Sequence, residues 1–189
     1  MDNKLKRLAA YYKPYMGLFW SDMFFAMLGA AVTLIIPLLV RYITGTVVEL
    51  PIEESTKIII KIGIIMIAMV ALECFCNFYI SYFGHVMGAK IEHDMRNEIF
   101  GHYQKLSFAF YDNQKVGHLL SRITSDLFDI TELLHHGPED VVISLIKLVG
   151  AFAILIMVNV KLALVAMAIV LVMLVYAVAL NKKMKNAFK

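Results

Sequence analysis

The sequence predicts an all-α, polytopic membrane protein with four transmembrane helices and long cytoplasmic extensions. Three observations carry that reading. Hydrophobic residues make up 60% of the 189 positions and charged ones 17%, against roughly 45–50% and about 25% in ordinary soluble domains; mean hydropathy is +0.72. The apolar residues gather into four runs, each long enough for a hydrocarbon core of about 30 Å. Lys and Arg gather in alternate connections. No basic run interleaved with aromatics occurs, so nucleic acid is excluded as a partner.

Residues 1–14 carry Lys4, Lys6, Arg7 and Lys13, with Leu5, Leu8 and Tyr12 to one side. That pattern fits a short helix lying in the headgroup region, ended by Pro14. Residues 17–40 form the first span, too long for a signal-peptide core, with Pro37 bending its outer end. Residues 58–82 form the second span. Its helical pattern continues to about Leu106, so the helix projects far into water. Gly84 and Gly88, one turn apart, allow another helix to come close. Residues 83–140 form a polar hairpin whose apolar residues still recur at helical spacing, at Ile91, Met95, Ile99 and Tyr103 and again at Leu119, Ile123, Leu127 and Ile130. Its turn lies around Phe110 to Gly117. Gly137-Pro138 kinks or restarts the returning helix, which leads into a third span at 141–158. After a tight turn at Asn159-Val160-Lys161 comes the fourth span, 162–180.

Orientation follows from the positive charges. The N-terminus, the hairpin (Lys90, Arg96, Lys105, Lys115, Arg122) and the C-terminus (Lys182, Lys183, Lys185, Lys189) hold most of them, while the opposite loops hold Arg41, Lys57 and Lys161. The positive-inside rule then places both termini and the hairpin in the cytoplasm of a multi-pass cell-membrane protein.

Few residues suggest chemistry. Cys74 and Cys76 stand two apart on a helix, on nearly opposite faces, and read as packing residues. His135 and His136 are adjacent, with no further ligand at metal spacing, so no metal site is expected. No nucleophile–base pair is visible. Asp22, Glu73 and Lys147 lie inside spans, roughly 8–12 Å deep. Charges there are costly unless they meet water or one another, so a cavity wall with Lys147 pairing Glu73 or Asp22 is expected. Phe24, Phe25, Phe75 and Tyr79 could line an apolar pocket, though packing is the commoner role.

The string FYDNQKVGHLLSRITSD, set in one long cytoplasmic hairpin between short external loops, resembles the transmembrane domain of ABC exporters. The matching residues are Arg96, Phe100, Leu106, Ser107, Phe110, Tyr111, Asp112, Gly117, Leu119, Ser121, Arg122, Ile123 and Asp126. The resemblance makes residues 1–14 an elbow helix. It also implies a coupling helix at the hairpin tip, comprising Tyr111, Asp112, Asn113, Gln114, Lys115, Val116, Gly117 and His118, with Asp112 or Asn113 capping its start. Arg96, Ser121, Arg122 and Asp126 would brace that element, Arg122 and Asp126 as neighbours four apart on one helix. Implied partners are the lipid bilayer, a nucleotide-binding domain carrying ATP and Mg, a second transmembrane domain in a homo- or heterodimer, and a small-molecule, lipid or peptide substrate. The chain contains four of the six spans of such a domain and no GxxxxGK[ST] loop. The expectation is therefore an N-terminal part of a subunit, without cofactor of its own and unable to hydrolyse ATP alone. The competing reading is a free-standing four-span protein that binds a cytoplasmic partner through the hairpin.

Overall fold

The computed structural model of the protein describes residues 2–112 and 114–187, and among them there is no strand. The helices are α1 (Asp2–Ala10), α2 (Met16–Gly45), α3 (Ile52–Tyr103), α4 (Phe108–Asp112), α5 (Val116–Ile123), α6 (Ser125–Val158) and α7 (Val160–Ala187). Among the described residues four helical stretches, Lys6–Glu49, Ile52–Tyr103, Val116–Val158 and Val160–Asn186, are long and apolar enough to cross a membrane. α3 has 52 residues, about 78 Å at 1.5 Å per residue, more than twice a hydrocarbon core. The chain falls into two units, Met1–Ile146 and Lys147–Lys189.

In the first unit α2 and α3 pack through small residues. Ala26, Ala30 and Cys76 are buried. A Cβ built on Gly29 would meet the Cys76 Cβ at 3.3 Å, so the two helices are already in close contact there. Cys74, on the other side of α3, is exposed, as expected for residues two apart. Aromatic rings extend the contact: Phe25 lies 4.0 Å from Tyr79 and 5.8 Å from Phe75, and Tyr79 lies 4.3 Å from Phe83, between centroids. Phe25, Phe75 and Tyr79 thus pack on one another, while Phe24 is turned outward.

Past the apolar part of α3, the core consists of Met87, Ile91, Met95 and Leu127, covered by Leu8, Tyr11, Tyr12, Tyr15, Leu18 and Phe19. The N-terminal segment is therefore fastened across the base of the hairpin. Three tyrosines make the fastening. Tyr15 donates to Asp94 Oδ2 at 2.8 Å, Tyr11 donates to Glu98, and Tyr12 donates to the Leu134 carbonyl. Burial first, then the hydrogen bond and charge of Glu98, push the Tyr11 phenol up to about 12.

The Tyr12 bond answers a need created by the sequence. α6 runs unbroken through Pro138, but proline has no N–H to give the carbonyl four residues earlier, and that carbonyl belongs to Leu134. The Tyr12 hydroxyl takes the missing donor's place, so Gly137-Pro138 neither ends nor restarts the helix. Tyr12→Phe should cost about 1–3 kcal/mol, the usual penalty for leaving a buried acceptor unsatisfied. Denaturant unfolding of the detergent-solubilised chain measures it. A loss under about 0.3 kcal/mol would show that the carbonyl finds water instead.

In the second unit, Asn159 forms the turn. Its side-chain Oδ1 accepts from Lys161 N (3.0 Å) and Leu162 N (3.2 Å), capping the start of α7, while its own N–H completes the preceding helix on Leu155 O. The apolar side chains of α7 are largely exposed, as a lipid-facing helix requires.

Candidate functional site

Two places concentrate polar groups that packing alone does not explain: the tip of the hairpin and its root.

At the tip, the stretch expected as a single short helix is divided. Tyr111 and Asp112 close α4, and Gln114 and Lys115 lie between helices. Val116, Gly117 and His118 open α5, whose start carries no side-chain cap. Asn113 lies outside the described residues. The division has a local cause: the Tyr111 hydroxyl donates to the Tyr103 carbonyl at 2.6 Å, folding α4 back against the end of α3. A second break falls at Thr124, so Arg122 lies in the last turn of α5 and Asp126 in the first turn of α6. The two are not on one continuous helix, and no ion pair joins them among the described residues. Arg96 does reach across: its Nε donates to the Ile123 carbonyl at 3.3 Å, satisfying the frayed end of α5 from α3, and its guanidinium also pairs with Glu92. Ser121 is exposed.

Apolar residues at this tip are exposed. Phe108 is 90%, Val116 68% and Leu120 60% exposed. They follow the end of the expected second span by more than twenty residues, roughly 30 Å along a helix.

At the root, Asp22 of α2 meets His135 and Glu139 of α6, with His85 of α3 and His136 beside them. Asp22, His135 and Glu139 are 1%, 3% and 7% exposed. Both oxygens of Asp22, both ring nitrogens of His135 and Oε2 of Glu139 are buried without a hydrogen-bond partner among the described residues. Donor atoms of these three side chains lie within 4.8 Å of one another, as do those of His85, His135 and His136. Gly84 makes the arrangement possible: a Cβ there would lie 2.0 Å from His135 Cε1. The close approach expected at Gly84 and Gly88 is thus made by α6 of the same chain.

Of the other intramembrane charges, Glu73 accepts a hydrogen bond from Thr33 at 2.9 Å, and Lys147 is exposed in the second unit. Sequence reasoning singled out Asp22 as an intramembrane charge and weighed His135 only with His136, without bringing the two helices together. Gly84 and Gly88 signalled a close approach on α3, with nothing to say which helix would lie there.

Residues 19–189 match the family model described as the ABC transporter transmembrane region. The chain belongs to that family. Among ABC transporters it is similar to YwjA of Bacillus subtilis, an "Uncharacterized ABC transporter ATP-binding protein", with 42% identity over 97% of this chain and 32% of the relative. YknU of the same organism is 29% identical over 72% of this chain and 23% of the relative. YgaD, a "Putative multidrug export ATP-binding/permease protein" of B. subtilis, is 23% identical over 83% of this chain and 28% of the relative. The chain spans about a third or less of the length of these ABC transporters. The likeness carried by FYDNQKVGHLLSRITSD therefore holds at family level, and the chain is a multi-pass part of an ABC transporter membrane region.

Proposed function

We propose that this chain is the membrane-spanning part of an ATP-driven exporter, and that its hairpin tip docks on a nucleotide-binding domain. Both termini and the hairpin face the cytoplasm, where most of the Lys and Arg outside the spans stand. ATP and Mg bind the nucleotide-binding domain, carried on the same polypeptide or a separate one. Two such membrane regions together enclose the substrate path. The observation that supports docking most directly is the exposure of Phe108, Val116 and Leu120 well past the expected second span. Large apolar side chains in water mark a surface that a protein covers. α3 and α6, held together at the base by the buried Met87–Leu127 core, are suited to transmit movement at the tip to the spans.

The test is site-directed cross-linking. With Cys74 and Cys76 replaced by alanine, a single cysteine at Gln114 or Lys115 should cross-link to the nucleotide-binding domain of the assembled transporter. One at Lys61 should not. Cross-linking from Lys61 or from the C-terminal lysines, with none from the tip, would refute the docking.

A further inference from the structure

We propose that Asp22, His135 and Glu139 form a binding site for one divalent transition-metal ion, clamping α2 to α6 at the root of the hairpin. The donor set decides the class of ion. One imidazole nitrogen with two carboxylates suits Zn²⁺, Mn²⁺ or Fe²⁺, whereas Mg²⁺ and Ca²⁺ take oxygen ligands alone. The charge also balances, since two carboxylates neutralise one divalent cation. Without it, two acidic groups and an imidazole share a pocket in which five polar atoms lack partners among the described residues, an expensive arrangement.

The geometry is close to what an ion needs. Donors at about 2.1 Å from a tetrahedral ion stand about 3.4 Å apart. Donors now within 4.8 Å of one another reach that spacing by turning terminal carboxylates and one ring. A cleft lined by Asn77, Ser81, His85, His136 and Glu139 opens beside the cluster and gives the ion a way in.

The second group, His85, His135 and His136, shares the central ring but is already engaged. His85 Nδ1 donates to the Ser81 carbonyl at 2.6 Å, and His136 Nε2 stands 3.5 Å from Glu132 Oε2. His85 thereby keeps Nε2 as its free nitrogen and can serve as a fourth ligand once the ion is seated. The adjacency of His135 and His136 gave no metal signal because the ligands come from two helices, α2 and α6.

The experiment uses the detergent-purified chain, stripped with EDTA and titrated with Zn²⁺, with Mg²⁺ as the control cation. Bound metal is counted by mass spectrometry and stability followed by thermal unfolding. One Zn²⁺ per chain, a raised Tm and no response to Mg²⁺ are expected. Asp22→Asn and Glu139→Gln should each weaken Zn²⁺ binding at least about tenfold. In EDTA they should unfold no earlier than the wild type, because each replaces a buried acidic group that lacks a partner among the described residues with an amide of the same shape. Zn²⁺ bound no better than Mg²⁺ would overturn the proposal. So would Zn²⁺ binding that survives both substitutions but is lost with His85→Ala and His136→Ala, since the ion would then sit on the imidazoles alone. The wild-type stoichiometry needs no variant, so a variant that fails to fold leaves the test intact.

Discussion

Gly84→Ala should destabilise the protein by about 1–3 kcal/mol, the range for forcing extra volume into a packed interior, and His135→Ala in the same chain should recover most of that loss. The new methyl would lie 2.0 Å from His135 Cε1 and 2.9 Å from both ring nitrogens. No pair of heavy atoms tolerates that, so the ring must leave its pocket or α6 must move off α3. Gly88→Ala is the built-in control, because its Cβ would meet the His135 Cβ at 3.5 Å, ordinary contact. It should change stability by less than about 0.5 kcal/mol. The measurement is denaturant unfolding of the four chains of a Gly84/His135 double-mutant cycle, run in EDTA so that metal binding does not enter. A coupling energy above about 1 kcal/mol is expected between residues in contact. Additive effects would mean that the ring does not occupy the space over Gly84.

Much of this arrangement was legible in the sequence because bilayers constrain chains strongly. Four apolar runs translate directly into helices long enough to span a membrane, and α3 ends at Tyr103, within a turn of the expected Leu106. The tip was less legible. Spacing cannot show that Tyr111 would fold back on Tyr103, or that Thr124 would separate Arg122 from Asp126, because both depend on contacts between helices. The root was least legible. Pro138 announced a free carbonyl at Leu134, but not that Tyr12, more than a hundred residues away, would supply its donor. Asp22 stood out as a charge in an apolar run. His135 was noticed only as the neighbour of His136 and set aside for want of a ligand at metal spacing on the same helix, because spacing along α6 cannot show that Asp22 of α2 would meet it.

Replacing both Phe108 and Val116 by aspartate should uncouple the assembled transporter, cutting ATP-driven transport at least about tenfold while leaving the fold intact. The two side chains are 90% and 68% exposed, so they contribute little to the chain's own stability. If a nucleotide-binding domain covers them, each contributes roughly 1.5–3 kcal/mol of apolar burial, and losing both weakens docking by a hundredfold or more at 1.4 kcal/mol per decade. Three readouts separate the possibilities. The variant's Tm should stay within a degree or two of wild type, because the altered residues are already exposed. Basal ATP hydrolysis should persist, because both altered residues lie in the membrane region's hairpin and neither belongs to a nucleotide-binding domain. Transport, together with any stimulation of hydrolysis by substrate, should fall. A variant that transports normally would show that the tip's apolar residues are not the docking surface. A variant that loses transport only because it unfolds would be recognised by its Tm and would assign Phe108 and Val116 to the packing of the hairpin. The prediction thus turns on a physical asymmetry: residues that do nothing for the isolated chain carry a large effect only if another protein buries them.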